Sequence, residues 1–286
     1  MGADNSSQTA ANLRIRKLNV TAPTTLASVF VQKAVFDQSV DLKSLCGEGG
    51  DGTFSWLIQL DTVTHALTTG GAAPTDNPFT TGYCFVDTNI EGFAVAPVTL
   101  STTQNAGGSF ASAVIPKLYV PMFVASSTSG TQVIVLPLTN AKMEDVVLSD
   151  NDNCIGNYNP DAVTPMTGSS TCLDDPTSCA RWTTAGSFGG CITLAEADRV
   201  LVPQLAESLC VLLTAGSSVD SSNPNEKTCK KDGGGNIIAQ GDFCSTTGVP
   251  GGCQDSYWFA ATFAASAAKI VAPNQPACQG VPIDGG

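Results

Sequence analysis

The clearest pattern in the chain is an alternation of apolar and polar positions that follows a glycine-rich turn at 49–52. Every second side chain is large and apolar, as in a strand with one face toward a core. These apolar positions are Phe54, Trp56, Ile58 and Leu60. The alternation therefore predicts a half-buried β-strand.

Weaker patterns of the same kind predict a run of antiparallel strands through the middle of the chain, separated by clusters of Gly, Pro, Asn and Thr. The predicted strands cover 63–69, 83–87, 93–102, 110–124, 132–138 and 142–148. Within them lie Pro97, Pro116, Pro121 and Pro137. Because proline donates no ladder hydrogen bond, these segments are predicted to be edge strands or to contain bulges.

Two further strands are predicted near the ends of the chain. Leu13–Val20 alternates apolar and basic residues loosely and is predicted to be an edge strand. In the segment 255–273, Phe259 and Phe263 alternate with smaller residues. We predict a strand there that closes the sheet beside the N-terminal one, and the high alanine content leaves a helix as the alternative.

Two segments have the helical period. The first begins at Thr24 or Thr25 and runs to about Asp37. The second opens with the capping-box sequence Thr193–Glu196, is kinked at Pro203 and ends at Gly216. Its apolar face is predicted to consist of Leu194, Ala197, Leu201, Leu205, Leu209 and Leu212.

The predicted fold class is therefore α+β, with a mostly antiparallel curved β-sheet or sandwich packed with two amphipathic helices and stapled by disulfides. Residues 1–12 are predicted to be a disordered polar spacer, and residues 13–280 a single domain. Within that domain, 217–254 has no apolar periodicity but contains three cysteines. It is predicted to be a cysteine-rich surface insertion.

Charge excludes some classes of partner. The formal net charge of the 286 residues is −12, so the protein repels phosphate, and neither nucleic acid nor anionic lipid is a predicted partner. Only 13% of the residues are charged, whereas about 25% is usual. A large core, a surface of small polar residues, or apolar patches covered by a ligand or partner would each account for this.

The eleven cysteines predict where the protein works. No two are as close as Cys-x-x-Cys, the spacing of zinc ribbons and thioredoxin-like sites, so they predict disulfides formed outside the cytoplasm. Ten are predicted to pair, in a connectivity that the sequence leaves open: Cys46, Cys84, Cys154, Cys172, Cys179, Cys191, Cys229, Cys244, Cys253 and Cys278. Cys210, in an apolar run, is predicted to be a buried free thiol.

No transmembrane segment is predicted, because no apolar run approaches the roughly 20 residues of a membrane span. The start of the chain, MGADNSSQTAAN, has the character of a mature end with an added Met-Gly and a polar spacer after a removed export signal. The predicted location is extracytoplasmic: the periplasm, the outer membrane surface or the medium.

The acidic segment Ser149–Asp161 is the candidate for a metal site. It fails as an EF-hand loop beginning at Asp150, because the fifth, sixth and twelfth positions hold cysteine, isoleucine and aspartate. We interpret it as polar turns fixed by a disulfide. An irregular calcium site formed by Asp150, Asp152 and Asp161 is the alternative, and no other cofactor is predicted.

Catalytic motifs fail on order. Ser187, in Ala-Gly-Ser-Phe-Gly, has the sequence context of a nucleophile elbow, but the histidine of that fold follows the serine in the chain. The single histidine, His65, precedes it and is interpreted as an ordinary sheet residue. The chain is therefore predicted to be non-enzymatic.

The order of elements resembles that of uncharacterised cysteine-rich exported lipoproteins of Gram-negative bacteria. The resemblance is carried by the segments LRIRKLNVTAP, DGTFSWLIQLD, LTTGG, CIGNYN and SLCVLL in this order. It implies an exported, envelope-associated protein, and it transfers neither an activity nor a functional residue.

Three functions are compatible with these patterns. The first is a non-catalytic envelope or surface protein that docks onto a protein partner, or assembles with itself, through apolar edge strands. The second is a carrier of a lipid or other apolar small molecule between sheet and helices, whereas simple core filling is the other role for the same residues. The residues concerned are Phe54, Trp56, Ile58, Leu201, Leu205 and Leu209. The third function is that of a secreted hydrolase.

Overall fold

A computed structural model describes residues 3–28, 31–32, 54–75, 78–126, 130–159 and 180–271. The strands in these ranges are β1 (Ala10–Ala22), β2 (Ser55–Asp61), β3 (Ala66–Ala72), β4 (Thr88–Ile90), β5 (Phe93–Val95), β6 (Val98–Gln104), β7 (Phe110–Ser112), β8 (Ile115–Ser126), β9 (Gly130–Glu144), β10 (Cys154–Ile155), β11 (Asn157–Tyr158), β12 (Trp182–Thr183), β13 (Ser187–Thr193), β14 (Leu201–Val202), β15 (Glu207–Ser208), β16 (Val219–Asp220), β17 (Thr228–Cys229), β18 (Phe243–Cys244), β19 (Val249–Pro250) and β20 (Ser256–Ala267). The helices that lie wholly within these ranges are α1 (Leu194–Ala197) and α2 (Leu209–Leu213).

One large antiparallel sheet dominates the described chain. Twelve strands belong to it, and nine of them follow the order β7-β6-β3-β2-β1-β20-β13-β9-β8. β10 and β18 pair with β20 outside this path, and β19 pairs with β18. The other strands form the two-stranded pairs β4–β5, β11–β12, β14–β15 and β16–β17. The prediction of a mostly antiparallel sheet is confirmed.

The two terminal strands lie side by side in the middle of this sheet. β20 is a strand and pairs with β1, as predicted, with Leu18 opposite Phe263. β1 pairs with β2 on its other side, so the prediction that it is an edge strand is wrong. Its basic residue Arg14 is buried between strands, where Nε donates to Ser55 Oγ at 3.0 Å and Nη2 to the Phe54 carbonyl at 3.1 Å. A buried arginine held by hydrogen bonds from Nε and Nη2 thus takes the place of the exposed charge that the sequence suggested.

The sheet curves around an aromatic core. The rings of Trp56 on β2 and Phe188 on β13 are 4.8 Å apart, although β1 and β20 separate these strands in the sheet. Phe54 and Phe259 extend the row, with centroid distances of 6.5 Å to Trp56 and 6.3 Å to Phe188. The predicted curved sheet is confirmed, and its concave side is filled by side chains.

Both ends of the nine-strand path are protected against pairing with another strand. Among the described residues, β8 pairs only with β9, and it contains Pro116, Lys117 and Pro121. At the other end, β7 has only three residues. Proline, lysine and short length are the usual guards of an edge. The prediction of edge character is thus confirmed for the β8 prolines.

The predicted long helix after Thr193 is wrong. α1 has four residues, the chain then forms the hairpin β14–β15, and α2 has five residues. Pro203 interrupts the helical hydrogen bonds, and Ala206 in the hairpin turn has φ of 51°. Ser208 Oγ then accepts from the Val211 amide at 3.3 Å and starts α2 as a new helix. Most of the helix predicted from Thr24 lies outside the described residues, so packing by two amphipathic helices is not supported.

The predicted N-terminal spacer is largely structured. β1 already begins at Ala10, and Asn5 is buried. The Asn5 amide N–H donates to Asn153 Oδ1 at 2.6 Å, and its side chain donates to the Asp152 carbonyl at 2.8 Å. Residues 3–12 are therefore not a disordered spacer, because Asn5 supplies buried hydrogen bonds that a polar composition alone does not reveal.

Two disulfides join described cysteines, Cys210–Cys229 and Cys244–Cys253, and Cys84 also takes part in a disulfide. Cys210 is thus not the free thiol, because α2 places it opposite β17. Among the described cysteines the buried free thiol is Cys191, which was predicted to pair. Cys154 lies half-buried in β10, whereas Cys46, Cys172, Cys179 and Cys278 lie outside the described residues.

None of the helices in the described ranges has the length and apolar character needed to cross a bilayer.

Candidate docking surface

The convex face of the sheet is covered on the side of β1–β3. Leu57, Ala72, Tyr83 and Ala268 form a second, smaller buried cluster there. The covering segments are held to each other by the Tyr83 amide, which donates to the Lys269 carbonyl at 2.8 Å. This part of the convex face is therefore part of the protein interior.

The same face is open over part of β9, β13 and β20, whereas Cys191 and Ser256, which also lie on it, are buried. Cross-strand partners share a face of a sheet, and Phe188 and Phe259 point into the core, so the alternate positions point outward. We define the outer patch as Lys142, Glu144, Ser187, Gly189, Trp258, Ala260 and Thr262. None of these residues is buried.

Trp258 is the large apolar side chain of the outer patch, and it is 36% exposed. A Cβ atom at Gly189 would lie 2.6 Å from Trp258 Cζ2, so the indole rests against a strand position where only glycine leaves room. The ring of Phe243 supports it from the side, with centroids 5.0 Å apart and planes inclined by 38°. The indole is thus held on the sheet with part of its surface open to solvent.

The hydrogen-bonding groups beside the outer patch are one indole N–H without an acceptor among the described residues and three charged side chains that already have partners. The backbone N–H of Trp258 donates to Asp242 Oδ1 at 3.2 Å, but no described residue accepts from its indole N–H. Lys142 Nζ and Glu144 Oε1 form an ion pair of 2.7 Å on the surface. Exposed ion pairs of this kind contribute little to stability. Lys142 and Glu144 can therefore separate and bind a ligand with a small loss of free energy.

Cys191 lies opposite Trp258 in the β13–β20 register and is buried. Burial, assisted by the charge of Asp255, raises the pKa of the Cys191 thiol to about 11. The thiol is therefore neutral at physiological pH. Since the thiolate is the nucleophile and the metal ligand, Cys191 is a packing residue.

Beside the outer patch, Glu196 binds three neighbouring elements together. Its Oε1 accepts from Lys117 Nζ at 2.8 Å and from the Tyr119 hydroxyl at 2.9 Å, and its Oε2 accepts from the Thr193 hydroxyl at 2.9 Å. Burial raises the pKa of Glu196, but the bonds from Lys117, Tyr119 and Thr193 outweigh it, so the pKa lies below its usual value. Only half of the predicted capping box forms: Thr193 Oγ1 accepts from the Glu196 amide at 3.3 Å, whereas the glutamate serves this cluster.

The predicted apolar ligand residues lie in different environments. Phe54, Trp56, Ile58 and Leu209 are buried in the main core, whereas Leu201 is half-buried and Leu205 is 40% exposed on the hairpin β14–β15. None of the six lines the depressions of about 410, 280 and 560 Å³ in the described part of the surface. The structure thus does not gather them in one slot, and the carrier function stays a prediction.

Two of the predicted metal ligands, Asp150 and Asp152, line the depression of about 280 Å³ together with His65, while Asp161 lies outside the described residues. The loop is closed by its own bonds, since Ser149 Oγ accepts from the Cys154 amide at 3.0 Å. The segment thus forms polar turns, while the disulfide that was predicted to fix them and calcium binding both stay predictions.

Within the described ranges, groups of three candidate metal ligands occur only where two of them form a disulfide. They are Asp198 with Cys210 and Cys229, and Asp255 with Cys244 and Cys253, and the ligand atoms of each group lie within 4.8 Å of one another. The sulfur atoms bonded to each other in this way are not thiolate ligands.

The two residues considered for catalysis lie in different elements, His65 in a turn and Ser187 on a strand. His65 is not an ordinary sheet residue, because it lies in the turn between β2 and β3 with φ of 57°. Ser187 is the first residue of β13, and its hydroxyl donates to the Glu144 carbonyl at 3.0 Å. Ser187 is therefore on a paired strand and not on a strand-to-helix turn.

The fold defines a disulfide-bonded, mainly antiparallel β-protein with one open face that carries Trp258. In comparisons with protein-family models, curated proteins and solved structures, nothing matches the chain.

Proposed function

We propose that the protein is a non-catalytic extracytoplasmic envelope or surface protein that docks onto its target through the outer patch. The observation that carries this proposal is the exposed indole of Trp258, seated on Gly189 with its N–H unpartnered by any described residue. Tryptophan is typical of binding surfaces because it combines a large apolar area with a polar donor.

The protected strand edges favour a face over an edge as the docking element. Docking through edge strands needs a free, flat row of backbone groups. β8 contains two prolines and a lysine, and β7 is too short to offer such a row. The side chains of the outer patch are accessible instead.

The disulfides support the extracytoplasmic part of the proposal, because such bonds persist in oxidising compartments. Mapping of the purified protein under non-reducing conditions is expected to recover Cys210–Cys229 and Cys244–Cys253. Recovery of these four cysteines as free thiols would contradict the proposed location.

Docking is tested by saturable binding of labelled protein to isolated Gram-negative cell envelopes. We expect Trp258→Ala to weaken this binding by at least about tenfold, the effect of one interface anchor. Val249→Ala, at an apolar residue that is 51% exposed outside the outer patch, serves as the control and should bind as the unmodified protein does. Equal binding of all three proteins, or no saturable binding, would overturn the proposal.

A further inference from the structure

We infer that the outer patch binds a neutral glycan, with one pyranose ring stacked on the indole of Trp258. This inference rests on the proposed docking function for the surface involved and names the chemical class of the target.

The size of the apolar area favours a sugar over a protein. A stable protein interface buries about 800 Å² on each partner and has an apolar centre. Here Gly189 lies against the ring of Trp258, and the outer patch continues along the strands with the small residues Ala260, Ser187 and Thr262, beside a surface ion pair. One aromatic ring on a floor of small residues matches the dimensions of a single six-membered ring.

The chemistry of the rim matches the hydroxyl groups of a sugar. A pyranose has one face of C–H groups and a circumference of hydroxyls, so it needs an apolar plane with donors and acceptors at its margin. The indole supplies the plane and its unpartnered N–H a donor. Asp242, whose Oδ1 meets the Trp258 amide, supplies a carboxylate, and Lys142 and Glu144 supply a second margin of charge. An acyl chain would leave these polar groups without partners.

The charge of the protein selects neutral glycans. The net charge is −12, and the outer patch has Glu144 with Asp242 nearby against the single cation Lys142, which already faces Glu144. Uronate or sulfate groups would meet repulsion over the Debye length of about 8 Å at physiological ionic strength. A polysaccharide without charges avoids this cost.

The indole is also preorganised. Gly189 below it and Phe243 beside it restrict its rotamers before a ligand arrives. Binding therefore loses little side-chain entropy, which is the advantage of a rigid aromatic anchor.

Affinity electrophoresis of the purified full-length chain tests the inference, with hydroxyethylcellulose, dextran or mannan in the gel and polygalacturonate as the charged comparison. We expect retardation by at least one neutral polysaccharide and none by polygalacturonate. Trp258→Ala should lose at least about tenfold in affinity. Gly189→Ala should also weaken binding severalfold, because the added methyl group displaces an indole that is still present. Val249→Ala is the control.

Tryptophan fluorescence gives a second measurement on the same protein. Trp56 and Trp182 are buried, so an emission change on adding the retarding polysaccharide should come from Trp258 and vanish in Trp258→Ala. No retardation by any of the three neutral polysaccharides, or equal retardation of wild type and Trp258→Ala, would overturn the inference. Envelope binding that depends on Trp258 but is not displaced by these polysaccharides would reject the glycan and leave the docking function standing.

Discussion

Two tryptophans of the same sheet have opposite relations to solvent. Trp56 on β2 is fully buried, and its indole N–H donates to Thr69 Oγ1 at 2.8 Å. Trp258 on β20 is 36% exposed, and its indole N–H has no partner among the described residues. The hydrogen bond therefore separates them more sharply than exposure does. A buried donor must be satisfied within the fold, whereas an exposed one is available to a ligand.

The surroundings of the two rings differ in the same way. Trp56 is enclosed by Phe54 and Phe188, and the hydroxyl that accepts from it donates onward to the Leu57 carbonyl at 2.9 Å. Trp258 has glycine beneath it and a single ring, Phe243, at its side. The first arrangement stabilises the sheet, and the second presents a surface.

The largest expected difference between the two tryptophans is their contribution to the free energy of unfolding. Trp56→Ala removes a fully buried ring and leaves the Thr69 hydroxyl without its donor, so we expect a loss of about 3–5 kcal/mol in the free energy of unfolding. Trp258→Ala should cost less, about 1–2 kcal/mol, because the side chain is already 36% exposed and packs on Gly189 and Phe243 at the surface. Urea unfolding followed by circular dichroism measures both.

Trp56→Phe is the matched control for the hydrogen bond. It keeps most of the ring packing and should cost less than Trp56→Ala. A similar loss of stability in Trp56→Ala and Trp258→Ala would contradict the distinction between a core ring and a surface ring.

The second largest effect concerns the cysteines. Replacing both Cys210 and Cys229 by alanine opens a disulfide with a sequence separation of 19 and should cost about 3 kcal/mol, the value for loops of this length. Cys191→Ala removes one buried thiol and should cost about 1 kcal/mol. Thermal unfolding under non-reducing conditions distinguishes the two variants, and equal stabilities would show that the disulfide contributes no more than packing does.

Glu196 is a charged residue near the surface, like Lys142 and Glu144 of the outer patch, but its carboxylate accepts hydrogen bonds from several side chains. Its pKa in the folded state lies below the ordinary value of 4.5, so its bonds stabilise the fold above that pH and are lost as the pH falls through the folded-state pKa. Glu196→Gln should cost about 1–2 kcal/mol at pH 7. The difference from wild type should narrow below pH 4.5 in urea unfolding. A difference that is constant down to pH 3 would contradict the role of the charge.

Local patterns identified the strands that carry these rings. The period of two in Phe54, Trp56 and Ile58 is a property of consecutive residues, and so is the alternation that predicted β20 as a strand. The partner of β1 on its second side depends on contacts with residues more than forty positions away, which no local pattern encodes. The leucine spacing after Thr193 predicted a long helix that does not form. Pro203 and the hairpin turn at Ala206 end the helix although the apolar period continues.

The sequence pattern did not predict the outer patch, because the apolar positions that mark β20 as a strand are Phe259 and Phe263, which face the core. Trp258 occupies the opposite phase, where a half-buried strand places polar residues. The sequence feature that indicates the outer patch is therefore a large aromatic residue at a strand position where a polar residue is expected. Its meaning depends on Gly189 and Phe243, which lie on other strands and are brought beside it only by the register of the sheet.

The smallest expected effect is on the solvent accessibility of Cys191, the cross-strand neighbour of Trp258. In the native protein Cys191 should resist alkylation at pH 8, because burial keeps its pKa near 11 and little thiolate forms. Trp258→Ala removes the cross-strand neighbour of Cys191 and should raise its alkylation rate severalfold without unfolding the sheet. Site-resolved mass spectrometry after timed exposure to iodoacetamide measures this, with Val249→Ala as the control. If Cys191 reacted equally in wild type and Trp258→Ala, the indole would not shield Cys191 from solvent. The indole would then be less firmly packed on the sheet than the preorganisation of the outer patch requires.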